Sequence, residues 1–128
     1  MKPPPNAKQE SYLAAFDPVS GKQQWSAQAA TWLLASVLAT AGDLVFTGDP
    51  DGNFFALDAQ TGKRLWSFPT GDGHRGSAIT YSIGGRQYIA TPTGWGSLIG
   101  QAHAALWQGP PPRPGSALFV FALPKAAR

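Results

Sequence analysis

Apolar residues in this chain come in short runs separated by clusters of turn formers, and the longest regular stretch, 37–68, lays out four strands. They are expected at 37–40, 44–47, 53–58 and 63–68, with Ala-Gly-Asp, Gly-Asp-Pro-Asp-Gly and Ala-Gln-Thr-Gly between them. Within the third, Phe54 and Ala56 point to one face and Phe55 and Leu57 to the other. Before this unit, 12–16 and 22–27 read as two strands around the turn 17–21. After it, 78–83 and 87–91 form a hairpin through Gly84-Gly85, a dipeptide suited to a turn whose central residues both need positive φ. A last strand, 118–124, resembles Phe54-Phe55-Ala56-Leu57. The segment 29–35, with Trp32, Leu33 and Leu34, is too short for periodicity to separate helix from strand and reads as a connection.

The pattern repeats. Phe16-Asp17-Pro18-Val19-Ser20-Gly21-Lys22-Gln23-Gln24-Trp25 aligns without a gap on Leu57-Asp58-Ala59-Gln60-Thr61-Gly62-Lys63-Arg64-Leu65-Trp66, an offset of 41 residues. Asp falls on Asp, Gly on Gly, Lys on Lys and Trp on Trp. A period near forty is that of propeller blades. The residue types fit a turn: Asp58 can accept bonds from turn amides, and Gly62 can take left-handed dihedrals that double the chain back. Leu65 and Trp66 lie on opposite faces of their strand, which aims the indole at a neighbouring blade.

The expectation is an all-β partial β-propeller of about two and a quarter blades, each blade a four-stranded antiparallel sheet. Residues 1–11 form a Pro-rich lead-in and 12–128 the propeller part, with a half blade at 12–28 and a full blade at 36–70. The last blade spans 76–124, has three strands and carries a loop insertion at 92–115. That insertion holds five Gly, five Pro and two Trp, too irregular for another hairpin. At 128 residues the chain is too short for a closed propeller of four to eight blades. An outer strand missing from the last blade leaves an open edge, expected to be covered by further blades or by self-association.

Composition narrows the chemistry. Ten Lys and Arg against seven Asp and Glu, scattered without a run, give no support to nucleic-acid binding. Cysteine is absent, so neither a disulfide framework nor a thiolate site is available. The amino terminus lacks the apolar core of a signal peptide, and no apolar stretch has the length of a membrane span. Asp49-Pro50-Asp51-Gly52-Asn53 has the composition of a calcium loop and the wrong spacing: Gly falls fourth rather than sixth, and no Glu stands near the twelfth place, where Gln60 and Thr61 lie. A hairpin turn is the expected reading. His74 and His103 have no carboxylate or Cys at ligand spacing and read as ordinary loop histidines, which leaves no metal ligands. The glycines around Gly71-Asp72-Gly73-His74-Arg75-Gly76 precede a strand rather than open a helix, unlike a phosphate cradle. Arg75 and Trp95 each sit in a Gly-flanked loop at the same end of adjacent strands.

The order of VLATAG, LVFTGD, NFFALDAQTGK, LWSF, the Gly-His-Arg-Gly loop, QYIA, GWG and the closing FVFALP resembles the carboxy-terminal region of pyrroloquinoline quinone (PQQ)-dependent alcohol dehydrogenases. The resemblance implies an eight-bladed quinoprotein propeller holding PQQ on its axis beside a calcium or lanthanide ion. It also implies a periplasmic oxidoreductase that converts an alcohol to an aldehyde, with cytochrome c as the electron acceptor of the intact enzyme. It places Arg75 and Trp95 near the cofactor as candidate PQQ-binding residues. The family's metal ligands, catalytic Asp base and vicinal disulfide belong to earlier blades, so the chain carries no catalytic residue and is expected to be inactive alone. The alternative of a different class is a non-enzymatic propeller module for protein interaction, of the outer-membrane-assembly type.

Overall fold

The computed structural model describes residues 11–29, 32–94 and 115–124. It contains nine strands among them: β1 Ser11–Phe16, β2 Gln23–Ala29, β3 Leu38–Thr40, β4 Leu44–Gly48, β5 Asn53–Asp58, β6 Arg64–Pro69, β7 Ile79–Ile83, β8 Arg86–Gly94 and β9 Ser116–Ala122. They form three antiparallel sheets in chain order, β1-β2, then β3-β4-β5-β6, then β7-β8-β9. The sheets have two, four and three strands, in keeping with a partial propeller. The described residues contain no helix, and Trp32–Ala35 is an irregular connection. Most of the lead-in and residues 95–114 lie outside the described residues.

The repeat extends to individual hydrogen bonds. Asp17 Oδ1 accepts from the backbone N–H of Val19 (3.0 Å) and Ser20 (2.6 Å) and from the Ser20 hydroxyl (2.9 Å). Asp58 Oδ1 accepts from the backbone of Gln60 (2.9 Å) and Thr61 (2.8 Å) and from the Thr61 hydroxyl (2.9 Å). In both turns the Asp N–H donates to the Lys carbonyl five residues on, and the Gly N–H returns to the Asp carbonyl. Both copies also carry a bulge at the same place, between Ala15 and Phe16 and between Ala56 and Leu57. The glycines have φ of 68° at Gly21 and 71° at Gly62. Hydrogen bonds to the ionised form hold both carboxyls below the ordinary value, chiefly that from the Ser20 backbone at Asp17 and that from the Thr61 hydroxyl at Asp58.

One consequence of the repeat is visible only in three dimensions. Trp25, at the outer edge of the first sheet, lies across the β5–β6 turn of the second, and its Nε1–H donates to the Ala59 carbonyl at 2.8 Å. A Cβ built on Gly62 would stand 2.5 Å from the indole ring, whereas one on Gly21 would meet nothing. Trp66 is likewise aimed at the following sheet, edge-on to Phe121 at 5.2 Å between ring centroids.

Two apolar layers hold the sheets together. Val45, Phe55 and Leu57 pack with Leu13, Trp25 and Leu33 between the first and second sheets. On the opposite face Phe46, Phe54 and Ala56 pack with Ala78, Ile89 and Phe121 between the second and third. Phe54 is the centre of this layer, stacked with Phe46 and Phe121 at 6.0 and 5.7 Å. Full burial of a side chain such as Phe46, Phe54, Phe55, Leu57 or Ile89 contributes about 1.5–3 kcal/mol.

The third sheet reaches further than composition indicates. β8 runs through Gly94, and β9 pairs with it from Tyr88↔Ala122 to Gly94↔Ser116, so the ladder takes in the beginning of the stretch read as irregular and resumes directly after its end. Pro92 is tolerated because the β7–β8 pairing ends at Ile79↔Ala90, leaving one side of β8 free of ladder bonds where the missing N–H falls. Gly84 and Gly85 both have positive φ, as the β7–β8 turn requires. The face of this sheet turned away from the second leaves Ile79, Ile83, Leu118 and Val120 each more than half exposed.

Two predictions follow from the turns. Gly21→Ala should lose about 1–2 kcal/mol from left-handed strain alone, while Gly62→Ala should lose that and about 1–3 kcal/mol more from overpacking against Trp25. Urea unfolding of both variants measures the difference; equal losses would show that the indole moves aside freely. The second concerns acid. Because the Asp17 and Asp58 carboxyls titrate below their ordinary value near 3.8 in the folded chain, their contribution is present above that pH and disappears as pH falls through the folded values. Melting temperatures between pH 5 and 3 should therefore fall less steeply in an Asp17→Asn/Asp58→Asn double variant than in the unaltered chain, and identical slopes would place the acid sensitivity elsewhere.

Candidate functional site

Three loops meet at one end of the second and third sheets: the β4–β5 turn, the β6–β7 connection and the far end of β8. The β4–β5 turn is the Asp-Pro-Asp-Gly-Asn stretch, and it closes as a hairpin. Asp49 N–H donates to the Asn53 carbonyl at 3.0 Å. The Asn53 amide nitrogen lies 3.1 and 3.0 Å from the two Asp49 carboxylate oxygens, and its backbone N–H is 2.8 Å from Oδ1. The carboxylate is thus spent on its own turn.

The β6–β7 connection folds onto this hairpin. Thr70 donates to the Gly52 carbonyl through its backbone N–H at 2.7 Å and lies 2.9 Å from it through its hydroxyl. The approach is close enough that a Cβ on Gly52 would stand 2.8 Å from the Asp72 nitrogen. His74 N–H then donates to the Asp49 carbonyl at 3.0 Å, and Gly94 N–H to the Gly73 carbonyl at 2.9 Å. The connection is pinned to the second sheet through Asp49 and Gly52, and to the third through Gly94.

His74 occupies the middle of the junction and is only 1% exposed. The loop-histidine reading is corrected by this burial. Its Nε2 is 2.8 Å from the Thr70 hydroxyl and its Nδ1 3.3 Å from the Thr91 hydroxyl on β8. The ring packs against Phe54 at 5.4 Å between centroids and fills the space over Gly48, where a Cβ would run into it. Burial pushes the imidazole below its ordinary value, and the opposing effects of Asp49, a hydrogen bond with the Pro92 backbone and Asp72 are smaller. The residue that could have announced this in the sequence is Gly48, a glycine inside a strand, which marks a place where something approaches closely.

Arg75 follows His74 in the same connection and is half-buried. Trp95 lies outside the described residues; its chain neighbour Gly94 is bonded to the loop that bears Arg75. A cleft of about 270 Å³ opens between this loop and the beginning of β9, lined by Thr70, Gly71, Asp72, Thr93 and residues 115–117. Asp72 Oδ1 accepts from Gly73 N–H at 2.8 Å, and its Oδ2 is buried without a hydrogen-bond partner. Among the described residues no three His, Cys, Asp or Glu side chains group to hold a metal ion. The arrangement brings Arg75, Asp72 and several backbone groups to one end of the sheets.

Residues 26–89 match the model of the PQQ glucose/ethanol/alcohol dehydrogenase β-propeller domain. The quinoprotein alcohol dehydrogenase PedH of Pseudomonas putida is 40% identical over 119 residues, covering 88% of this chain and 19% of that protein. The 1-butanol dehydrogenase (cytochrome c) of Thauera butanivorans is 35% identical over 120 residues, covering 94% of this chain and 17% of its own length. In three dimensions the chain superposes on the crystal structure of the quinohemoprotein alcohol dehydrogenase from Comamonas testosteroni with a TM-score of 0.78 and 35% identity. That match covers 98% of this chain and 18% of the other. The chain therefore spans less than a fifth of the length of these relatives. With the strand order, the repeated turn and the inter-sheet tryptophan agreeing with a partial propeller, the chain belongs to the PQQ-dependent alcohol dehydrogenase β-propeller family.

Proposed function

We propose that this chain supplies the carboxy-terminal blades of a periplasmic PQQ-dependent alcohol dehydrogenase propeller and is not a catalyst alone. The observation that carries this reading is the outer face of the third sheet. Ile79, Ile83, Leu118 and Val120 are exposed there, while the equivalent face of the second sheet, with Phe46, Phe54 and Ala56, is buried against a following sheet. A face of that composition belongs against another blade. The same observation disfavours a finished interaction module with a polar exterior.

In the assembled propeller, PQQ supplies the oxidising chemistry, accepting the equivalent of a hydride from the alcohol. This chain's part is to close one side of the cofactor's surroundings. The β6–β7 connection presents the Arg75 guanidinium, which suits the quinone's carboxylates through charge-assisted hydrogen bonds, and Trp95 offers an indole for stacking. Both roles are proposals. A calcium or lanthanide ion does not fit the described residues: Asp49 is engaged by Asn53, and no other cluster of ligands is present among them. Its ligands and the catalytic base would come from other blades. Cytochrome c is the proposed electron acceptor of the whole enzyme, in keeping with the name of the Thauera relative.

The purified chain, supplied with PQQ and either calcium or a lanthanide, should give no dye-linked oxidation of short alcohols. A general base must lie within roughly 3 Å of the proton it removes, or one water away, and Asp17, Asp49 and Asp58 are engaged by their own turns. Sustained turnover that disappears in an Arg75→Ala/Trp95→Ala variant would overturn this reading and point to several copies building one site.

A further inference from the structure

The β6–β7 connection holds the second and third sheets together through one buried titratable side chain. We propose that His74 is a proton-operated latch: the connection stays closed on both sheets while the imidazole is neutral and opens when it takes up a proton, loosening the junction between the two blades.

The geometry carries this in three steps. First, the ring is the point where both sheets meet the loop, touching Phe54 and the Gly48 backbone on one side and the Thr91 hydroxyl on the other. Second, the seat has no room for hydration. The side chain is 1% exposed, so a positive charge there loses its water without gaining an ion pair. The charged groups that face the ring are Asp49, from the β4–β5 turn, and Asp72, from its own connection, and both favour the proton. β5 presents Phe54 and β8 presents Thr91 and Pro92; none of these titrates, and the hydrogen bond with the Pro92 backbone also favours the proton. Asp49 is already engaged by Asn53, and the burial effect outweighs both carboxylates and the Pro92 bond together. Third, the closed loop carries a cost of its own, because Asp72 Oδ2 is buried without a hydrogen-bond partner and regains water when the loop lifts.

The sign is fixed by the direction of the shift. The closed form binds the proton less readily than the open one, so the latch holds above the ordinary imidazole value near 6.5 and weakens as pH falls below it. The backbone bonds from Thr70 to Gly52, from His74 to Asp49 and from Gly94 to Gly73 would open together, since all three belong to this one connection.

Hydrogen exchange of the full chain, read by mass spectrometry on peptides spanning 70–78 and corrected for intrinsic pH dependence, tests the proposal. The opening constant of this segment should rise by up to about tenfold per pH unit below pH 6.5, one proton's worth of linkage, while the β5–β6 turn stays unchanged over the same range. A His74→Gln variant keeps a neutral side chain of similar reach and should lose the pH dependence; His103→Gln, the other histidine of the chain, should retain it. Where His74→Gln does not fold, the histidine Cε1 proton resonances of the unaltered chain provide the second measurement. Expected is one imidazole titrating below the ordinary value in step with the rise in opening. The proposal fails if opening is independent of pH down to 5, if the dependence survives in His74→Gln, or if it tracks the His103 resonance.

Discussion

Everything in this molecule rests on one strand being buried on both faces. β5 carries four consecutive apolar residues, and Phe54, Phe55, Ala56 and Leu57 are all 1–3% exposed. A strand in the middle of a two-layer protein has one buried face. This one has two because a sheet lies on either side, with Phe54 and Ala56 turned towards the third sheet and Phe55 and Leu57 towards the first. The alternation of side chains along a strand converts a run of four apolar residues into two separate cores. The register of β4 and β6 then follows, since a slip of one residue would exchange the two cores.

The same stacking explains why the chemistry sits at the loops. Antiparallel strands return the chain to the same two ends, so the β4–β5 turn, the β6–β7 connection and the end of β8 are gathered at one of them. Backbone bonds to Gly52, Asp49 and Gly73 tie these loops into one junction, with His74 filling its centre. A site assembled this way is shared between blades by construction. Here the second and third sheets both contribute residues to the junction, and their described residues do not make a complete catalytic constellation. The absence of a metal-binding cluster among the described residues is therefore compatible with membership of a metal-using family.

The tryptophan of the repeat shows how neighbouring blades are keyed. Trp25 projects from one sheet onto the turn of the next, donates to Ala59 and lies over Gly62. The turn glycine thus meets two demands at once, a positive φ and the absence of a side chain. Gly21 meets only the first, because no preceding sheet stands against it among the described residues. Identical residues in an internal repeat are for this reason under unequal constraint, according to what lies beside them.

Local interactions were legible in the sequence. The alternation within each strand, the Asp-to-Gly turn with its bonds, the paired glycines of the β7–β8 hairpin and the closing of Asp49 to Asn53 all depend on residues fewer than ten positions apart, where residue type and spacing determine the geometry. Family membership was legible too, because the order of motifs is itself linear. What lay beyond reach involves residues brought together from different sheets. The burial of His74 depends on Gly48, Phe54 and Thr91 converging from three strands. The continuation of β8 through Pro92 depends on β7 having stopped pairing two residues earlier. In each case the sequence specified the local conformations, and the tertiary structure decided which side chains lost their water, because desolvation depends on what a neighbouring sheet covers rather than on what a neighbouring residue is.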